Sequence, residues 1–391
     1  MSNVQKNPPP LLNRSFILLT FLGCLYFFNF HSFLLLPIRI SELGGTEKIV
    51  GFVMGISGLS TLFLTPYAGK ITDRYGKKLF VLLGFALLVA STFPLAFLDR
   101  VDYLYYVIRI VHGCSFSLFF VAAGALTVSV SSEQRMAQAL GIYGVFTIIN
   151  YAIAPYVGSI LINNFGFDFF IFFLTATGLI GLGVSFMIKE GKRAAALENT
   201  GPGYMDCLRG KATYISSVTL FICGAAFITT FNFISIFSLS INIENFHVYF
   251  LCYTVSVLAI RLFLGWVPDR YGKWRVASPF VFFLGLSIFM LNFVYEIKLL
   301  ALCGIIFGCA HGFVYPSLYS IIIESNPKEA RAKAFAISSV SFTGGGMLGS
   351  FVFGVVAELF GFRTMFVSIA IMVLLGFLFF ARNSILKERA A

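Results

Sequence analysis

Runs of roughly 20 apolar residues recur along the whole chain, each long enough to cross the hydrocarbon core of a bilayer as a helix. In lipid every backbone polar group must be satisfied internally, so only helices and closed barrels can span a membrane. Barrel strands would appear as segments of about ten residues with alternating polarity, and no such pattern is present. Only 12% of the residues are charged, against about 25% in soluble domains. The 48 Phe residues suit helices that meet lipid or one another on every side. The sequence predicts an all-α polytopic membrane protein.

Twelve spans are expected, over 16–37, 49–69, 79–98, 103–128, 136–161, 167–188, 213–240, 247–266, 276–296, 298–323, 332–357 and 363–381. The longest gap, 189–212, reads "KEGKRAAALENTGPGYMDCLRGKA". It is charged and contains Gly-Pro-Gly, which marks a linker. The expected organisation is a six-helix half (1–188), a linker loop (189–212) and a second six-helix half (213–391). The start "MSNVQKNPPPLLNR" lacks the pattern of a cleaved signal peptide, so the first span is expected to remain in the mature chain. The seven cysteines include no CxxC pair. Six lie in apolar spans as small fillers, and Cys207 falls in the polar linker. No metal site and no cofactor are expected.

The basic residues set the direction. Of the 28 Lys and Arg, five (Arg39, Lys48, Arg100, Lys298, Arg363) fall in alternate loops on one side, and Arg109 and Arg261 fall inside spans. The other 21 lie on the opposite side. By the positive-inside rule that side is cytoplasmic, together with both termini, in the cell's inner or plasma membrane. The net charge of +11 is then a topology signal and needs no nucleic acid. It also suits contact with anionic lipid headgroups.

The halves repeat one another. "GKITDRYGKKLF" (69–80) returns as "GWVPDRYGKWRV" (265–276), 196 residues later. "HGCSF" (112–116) returns as "HGFVY" (311–315), and "FGFDFF" (165–170) as "FGFRTMF" (360–366). Parallel repeats of this size are a transporter architecture, with the substrate site where the halves meet.

The first of these repeats resembles the signature loop of the major facilitator superfamily, Gly-x-x-x-Asp-Arg-x-Gly followed by two basic residues. Gly69, Asp73, Arg74, Gly76, Lys77 and Lys78 match it. The second copy matches at Gly265, Asp269, Arg270, Gly272 and Lys273, with Trp274 in place of the second base. Twelve spans in two pseudo-symmetric halves, with both motif copies in the expected connections, extend the resemblance over the whole chain. It implies that the loop latches the cytoplasmic side closed when the protein faces outward. Gly69 and Gly76 would allow close helix approach and a tight turn. Asp73 would pair with a base or sit against a helix N-terminus. Arg261, two turns before Asp269, is expected to reach the surface or pair with that loop. Span 5 carries Ala154-Pro155-x-x-Gly158-Ser159, similar to the Gly-Pro-x-x-Gly-Gly of drug–proton antiporters but different at both flanks. Pro155 and Gly158 are read as a kink and a packing site, as are Gly345 and Gly349 in span 11.

Ionisable groups at bilayer depth are costly and so become functional candidates. Arg109 and His112 lie one turn apart in span 4. The family pattern there has Arg, then Gln three residues later, then Gly; Arg109 and Gly113 match, and His112 replaces the Gln. In the superfamily, spans 1, 4, 7 and 10 line the central cavity. The candidate substrate and proton site is therefore Asn29, His31, Arg109, His112, Asn232, His311 and Tyr315. No Asp or Glu lies deep in any span, which favours a lipophilic, neutral or anionic organic molecule and leaves histidine as the titrating group.

No Walker loop, HExxH or intramembrane acid pair is present, so no enzyme and no direct ATP drive are expected. The expected function is proton-coupled efflux of a small organic solute by a monomeric secondary transporter. Coupled or facilitative uptake of a nutrient or organic anion is the alternative. A non-transporting membrane sensor is remote, since it would need an output domain.

Overall fold

Residues 13–131, 135–188 and 202–388 are described by a computed structural model; 189–201, the larger part of the expected linker, and Glu133 lie outside them. Among the described residues, ten helices are long and apolar enough to cross a membrane. One of them, within Arg331–Glu388, breaks at Gly361 into two spans, and the shorter His247–Phe263 supplies another. Twelve crossings result, in two six-helix halves. Span 1 is Arg14–Glu42, span 2 Glu47–Tyr75, span 3 Lys77–Phe97, span 4 Tyr103–Ser129, span 5 Met136–Phe165 and span 6 Phe167–Ser185. Span 7 is Lys211–Ser240, span 8 His247–Phe263, span 9 Lys273–Phe293 and span 10 Ile297–Glu324. Spans 11 and 12 cover 331–360 and 362–388.

The joints repeat as the sequence does. Gly76 (φ 103°) joins spans 2 and 3, and Gly272 (φ 95°) stands at the same point before span 9. Gly166 (φ 84°) joins spans 5 and 6, and Gly361 (φ 82°) spans 11 and 12. All four adopt a left-handed conformation that L side chains avoid, so each helix ends sharply and the next begins at once. Phe165 and Phe360 are the last residues of their helices.

The first motif copy is not a loop. Span 2 continues through Asp73 and Arg74 to Tyr75, and only Gly76 leaves the helix. The second copy does break: span 8 stops at Phe263, and Val267–Tyr271 forms a separate short helix. Pro268 stands where the repeat places Thr72. Proline lacks the N–H that would continue the helix and clashes with the preceding turn. That difference explains why one copy extends its span and the other interrupts it.

Small residues set how closely the helices approach. In the second half a Cβ on Gly345 would lie 1.9 Å from the Phe221 carbonyl of span 7, and one on Gly349 2.9 Å from Ala225. A Cβ on Gly158 would strike Leu35 and Phe170 at 2.3 and 3.0 Å. Pro155 lies inside an unbroken helix. Gly69, by contrast, has nothing within 4 Å of its Cβ position, so the expected close approach there is absent in this state.

Candidate functional site: a cavity between the halves

Pro37 shapes the near wall. It begins the last segment of span 1, and Phe33–Leu35 just before it forms a 3-10 turn. A proline disrupts the bonding of the turn before it, and short 3-10 pieces accommodate that. The turn brings Phe33 onto span 4. The Phe33 ring stacks on His112 with centroids 3.8 Å apart, and the Arg109 guanidinium lies over it at 5.4 Å.

Arg109 is buried in the gap between spans 2 and 4. A Cβ on Gly113 would lie 2.2 Å from the Ser57 carbonyl, so the two backbones nearly touch. Within that contact Arg109 Nε donates to the Val53 carbonyl (3.2 Å). Nη2 donates to the Met54 carbonyl (3.0 Å) and Ser57 Oγ (2.9 Å). Nη1 lies 2.8 Å from His112 Nδ1. Guanidinium nitrogens only donate, so Nδ1 accepts, and the neutral His112 ring carries its proton on Nε2. That Nε2 is buried and has no partner among the described residues.

The repeat places His311 opposite His112, and its surroundings differ. Gly308 stands where Arg109 does, and Tyr253 where Ser57 does. With no arginine between them, the Tyr253 hydroxyl bonds His311 Nδ1 directly at 3.1 Å. Phe227 stacks on His311 (4.6 Å) as Phe30 stacks on His112 (4.5 Å).

Between the halves is a cavity of about 320 Å³, near the lower end for small-molecule sites. Of the expected site residues, His31, Arg109, His112, Asn232 and Tyr315 line it. His31 stacks on Tyr151 of span 5 with centroids 3.7 Å apart. Asn232 donates to Ser350 Oγ at 2.9 Å. Two expectations are corrected. Asn29 faces away: it donates to the Leu174 carbonyl (2.6 Å) and accepts from Thr92 (3.3 Å), tying spans 1, 3 and 6. His311 lies behind the Phe227 ring rather than on the cavity wall. The wall also holds Ser57, Thr61, Tyr151, Phe231 and Phe342, which sequence reasoning missed. Phe227 had a usable signal, since it sits 197 residues after Phe30.

One end of the cavity is sealed. Thr46 Oγ1 and the Lys48 N–H of span 2 donate to the Glu358 carboxylate of span 11, at 2.9 and 3.2 Å. Glu358 thus satisfies an orphan N–H at a helix start in the other half. Gly51, Gly55 and Gly58 press against span 11 nearby, and Ser235 bonds the Leu34 carbonyl at 3.5 Å. Toward the other end the lining reaches Thr65 and Pro66, about one turn short of Gly69.

At that motif end the two copies differ again. Asp73 is exposed and, among the described residues, makes no hydrogen bond or ion pair. Asp269 pairs with Lys273 at 3.2 Å, and Lys273 also meets Glu324 of span 10. Lys78 donates to the Phe186 carbonyl at 2.7 Å. Arg74 lies over Tyr75 and Arg270 over Trp266, while Gly265 meets only its own helix, at the Arg261 carbonyl. Arg261 does not pair with this loop. Its Nε is buried without a partner among the described residues.

Comparison with known proteins agrees with this architecture. The chain is 22% identical to the staphylopine export protein of Staphylococcus aureus over 366 residues, covering 90% of this chain and 91% of that one. It is 23% identical to the multi-drug resistance efflux pump PmrA of Streptococcus pneumoniae, over 88% and 89% of the two chains. The crystal structure of the nucleoside transporter NupG superposes with a TM-score of 0.78 at 18% identity, covering 94% of this chain and 99% of that one. The Major Facilitator Superfamily model matches residues 16–296 and 215–390, and the chain belongs to that superfamily of membrane transporters.

Proposed function

We propose that the protein exports a small organic solute across the inner or plasma membrane by alternating access, driven by protons moving inward. The observation that carries this reading is the cavity itself: it lies between two repeated halves, is sealed by Glu358 and the Gly51 contact at one end, and reaches toward the motif at the other. The excess of basic residues supports a cytoplasmic motif end, and on that reading this state faces the cytoplasm. That Asp73 has no partner among the described residues supports its role as a latch, which should be released here and engaged when the protein faces outward. The efflux activities named for two relatives support export. Uptake is the competing reading, since the same alternating-access cavity serves either direction.

Accumulation of a panel of fluorescent lipophilic compounds, in cells with and without the protein, decides the direction. Export predicts lower accumulation in expressing cells, restored by a protonophore. Higher accumulation in expressing cells would replace export by uptake.

A further inference from the structure

The cavity's charge is one-sided. Arg109 is the cation on its wall, and among the described residues no Asp or Glu lines it. Every described acidic residue stands at a span end or in a connection. A buried cation without a counter-ion is costly, and its carbonyl partners from span 2 relieve only part of that cost. Arg109 has five N–H groups. Four are used, on Val53, Met54, Ser57 and His112, which leaves one on Nη1. His112 Nε2–H is a second donor with no acceptor, and His31 Nδ1 is a third unpartnered nitrogen on the same wall.

The opposite wall has no such demand. Gly308 occupies the position equivalent to Arg109, and the surface there is made by Phe227, Phe231, Phe342 and Tyr315, with Asn232 as a neutral polar group. Phe227 and Phe231 stack on each other at 4.3 Å, and with Phe342 and Tyr315 they make this wall apolar and aromatic.

We propose that the transported solute is an organic monoanion with a flat apolar body. Its anionic group lies against Arg109 and His112 on the first half, and its ring system lies against the aromatic wall of the second, where Phe231, Phe342 and Tyr315 line the cavity. Such a solute supplies the missing counter-charge and the missing acceptor together, and it contacts both halves at once. This inference rests on the reading of the cavity as the transport site.

Three probes of one shape test it: 2-naphthoate, 2-naphthamide and (2-naphthyl)methylammonium, titrated against the full-length protein in nanodiscs while thermal unfolding is followed. The naphthoate should stabilise the protein with a midpoint at least about tenfold lower than the amide, because a charge-assisted pair is roughly twice as strong as a neutral one. The ammonium should be weakest. Arg109→Gln should erase the preference. Should that variant not fold, the parent's ranking of the three probes still decides. Equal or tighter binding of the amide or ammonium overturns the anion and leaves transport through this cavity standing. Silence from the naphthoate overturns the anion as well. Alternating access is judged separately, by the distance measurement across the Gly51 contact described below.

Discussion

Gly51 of span 2 and Gly354 of span 11 meet across the interface between the halves: a Cβ on Gly51 would lie 2.9 Å from the Gly354 Cα and 2.3 Å from the Ser350 carbonyl. Backbone against backbone leaves no side chain to yield. Gly51→Ala should therefore open this seal, at a cost of about 1–3 kcal/mol to the state described. With spin labels at the exposed Glu42 and Leu359 in a cysteine-free background, the variant should show a longer distance population than the parent. An unchanged distance distribution would mean the glycine contact does not hold the seal.

Asp73→Asn keeps the size of the side chain and removes its charge. Because Asp73 has no partner among the described residues in this state, thermal stability should change by no more than about 0.5 kcal/mol. Transport should nonetheless fall sharply while the protein still reaches the membrane, since the charge acts in the opposite state. Normal transport by the variant would reduce the motif to a topology signal. Asp269→Asn should behave differently: it removes an existing partner of Lys273, which Glu324 still holds.

The orientation can be read chemically, although not at Cys207. That side chain is buried beneath Ala330 and Ile337 in the short helix Tyr204–Arg209, not in an open polar loop. Met205 in the same helix and Tyr295 at the opposite side are 67% and 72% exposed. In a cysteine-free background, Met205→Cys should resist an impermeant thiol reagent in intact cells and react after permeabilisation. Tyr295→Cys should react in both. The reverse pattern would invert the topology.

The twelve crossings were legible in the sequence because lipid imposes length and apolarity on each span without regard to its neighbours. The sharp joint at Gly76 was legible too, as a tight turn in the motif, whereas those at Gly166 and Gly361 were not. What the sequence hid was rotation and local termination. Asn29 and His31 are two residues apart on one helix and face different neighbours, and only the packed positions of Leu174 and Thr92 decide that Asn29 is the structural one. His311 shares its motif with His112, yet Phe227 covers it. Pro268 against Thr72 decides whether a motif copy is helix or break, a difference that periodicity does not register. Neutral polar residues such as Ser57 and Tyr151 are common in membrane helices, so nothing in the chain marked them as part of the site.

Under the proposed proton coupling, the bond between Arg109 and His112 is the point at which a proton would act. In this state His112 Nδ1 accepts from Arg109 Nη1 at 2.8 Å. An imidazolium donates from both nitrogens and accepts at neither, so protonation of His112 must break that bond and leave Arg109 held by its three bonds to span 2 alone. A proton on this ring is thereby tied to the packing of spans 2 and 4. The pair around His311 is more tolerant, because the Tyr253 hydroxyl can either donate or accept. His112→Gln should preserve an acceptor for Arg109 but cannot take up the proton. Reconstituted in liposomes with an imposed pH gradient, it should exchange solute across the membrane yet no longer be driven by the gradient. His311→Gln should remain driven. Loss of drive in His311→Gln alone would move the coupling site to the second half. If both variants stay as proton-driven as the parent, histidine coupling is wrong. A loop or helix-end carboxylate in the sequence, such as Asp73, Glu133 or Glu324, then becomes the group to replace next.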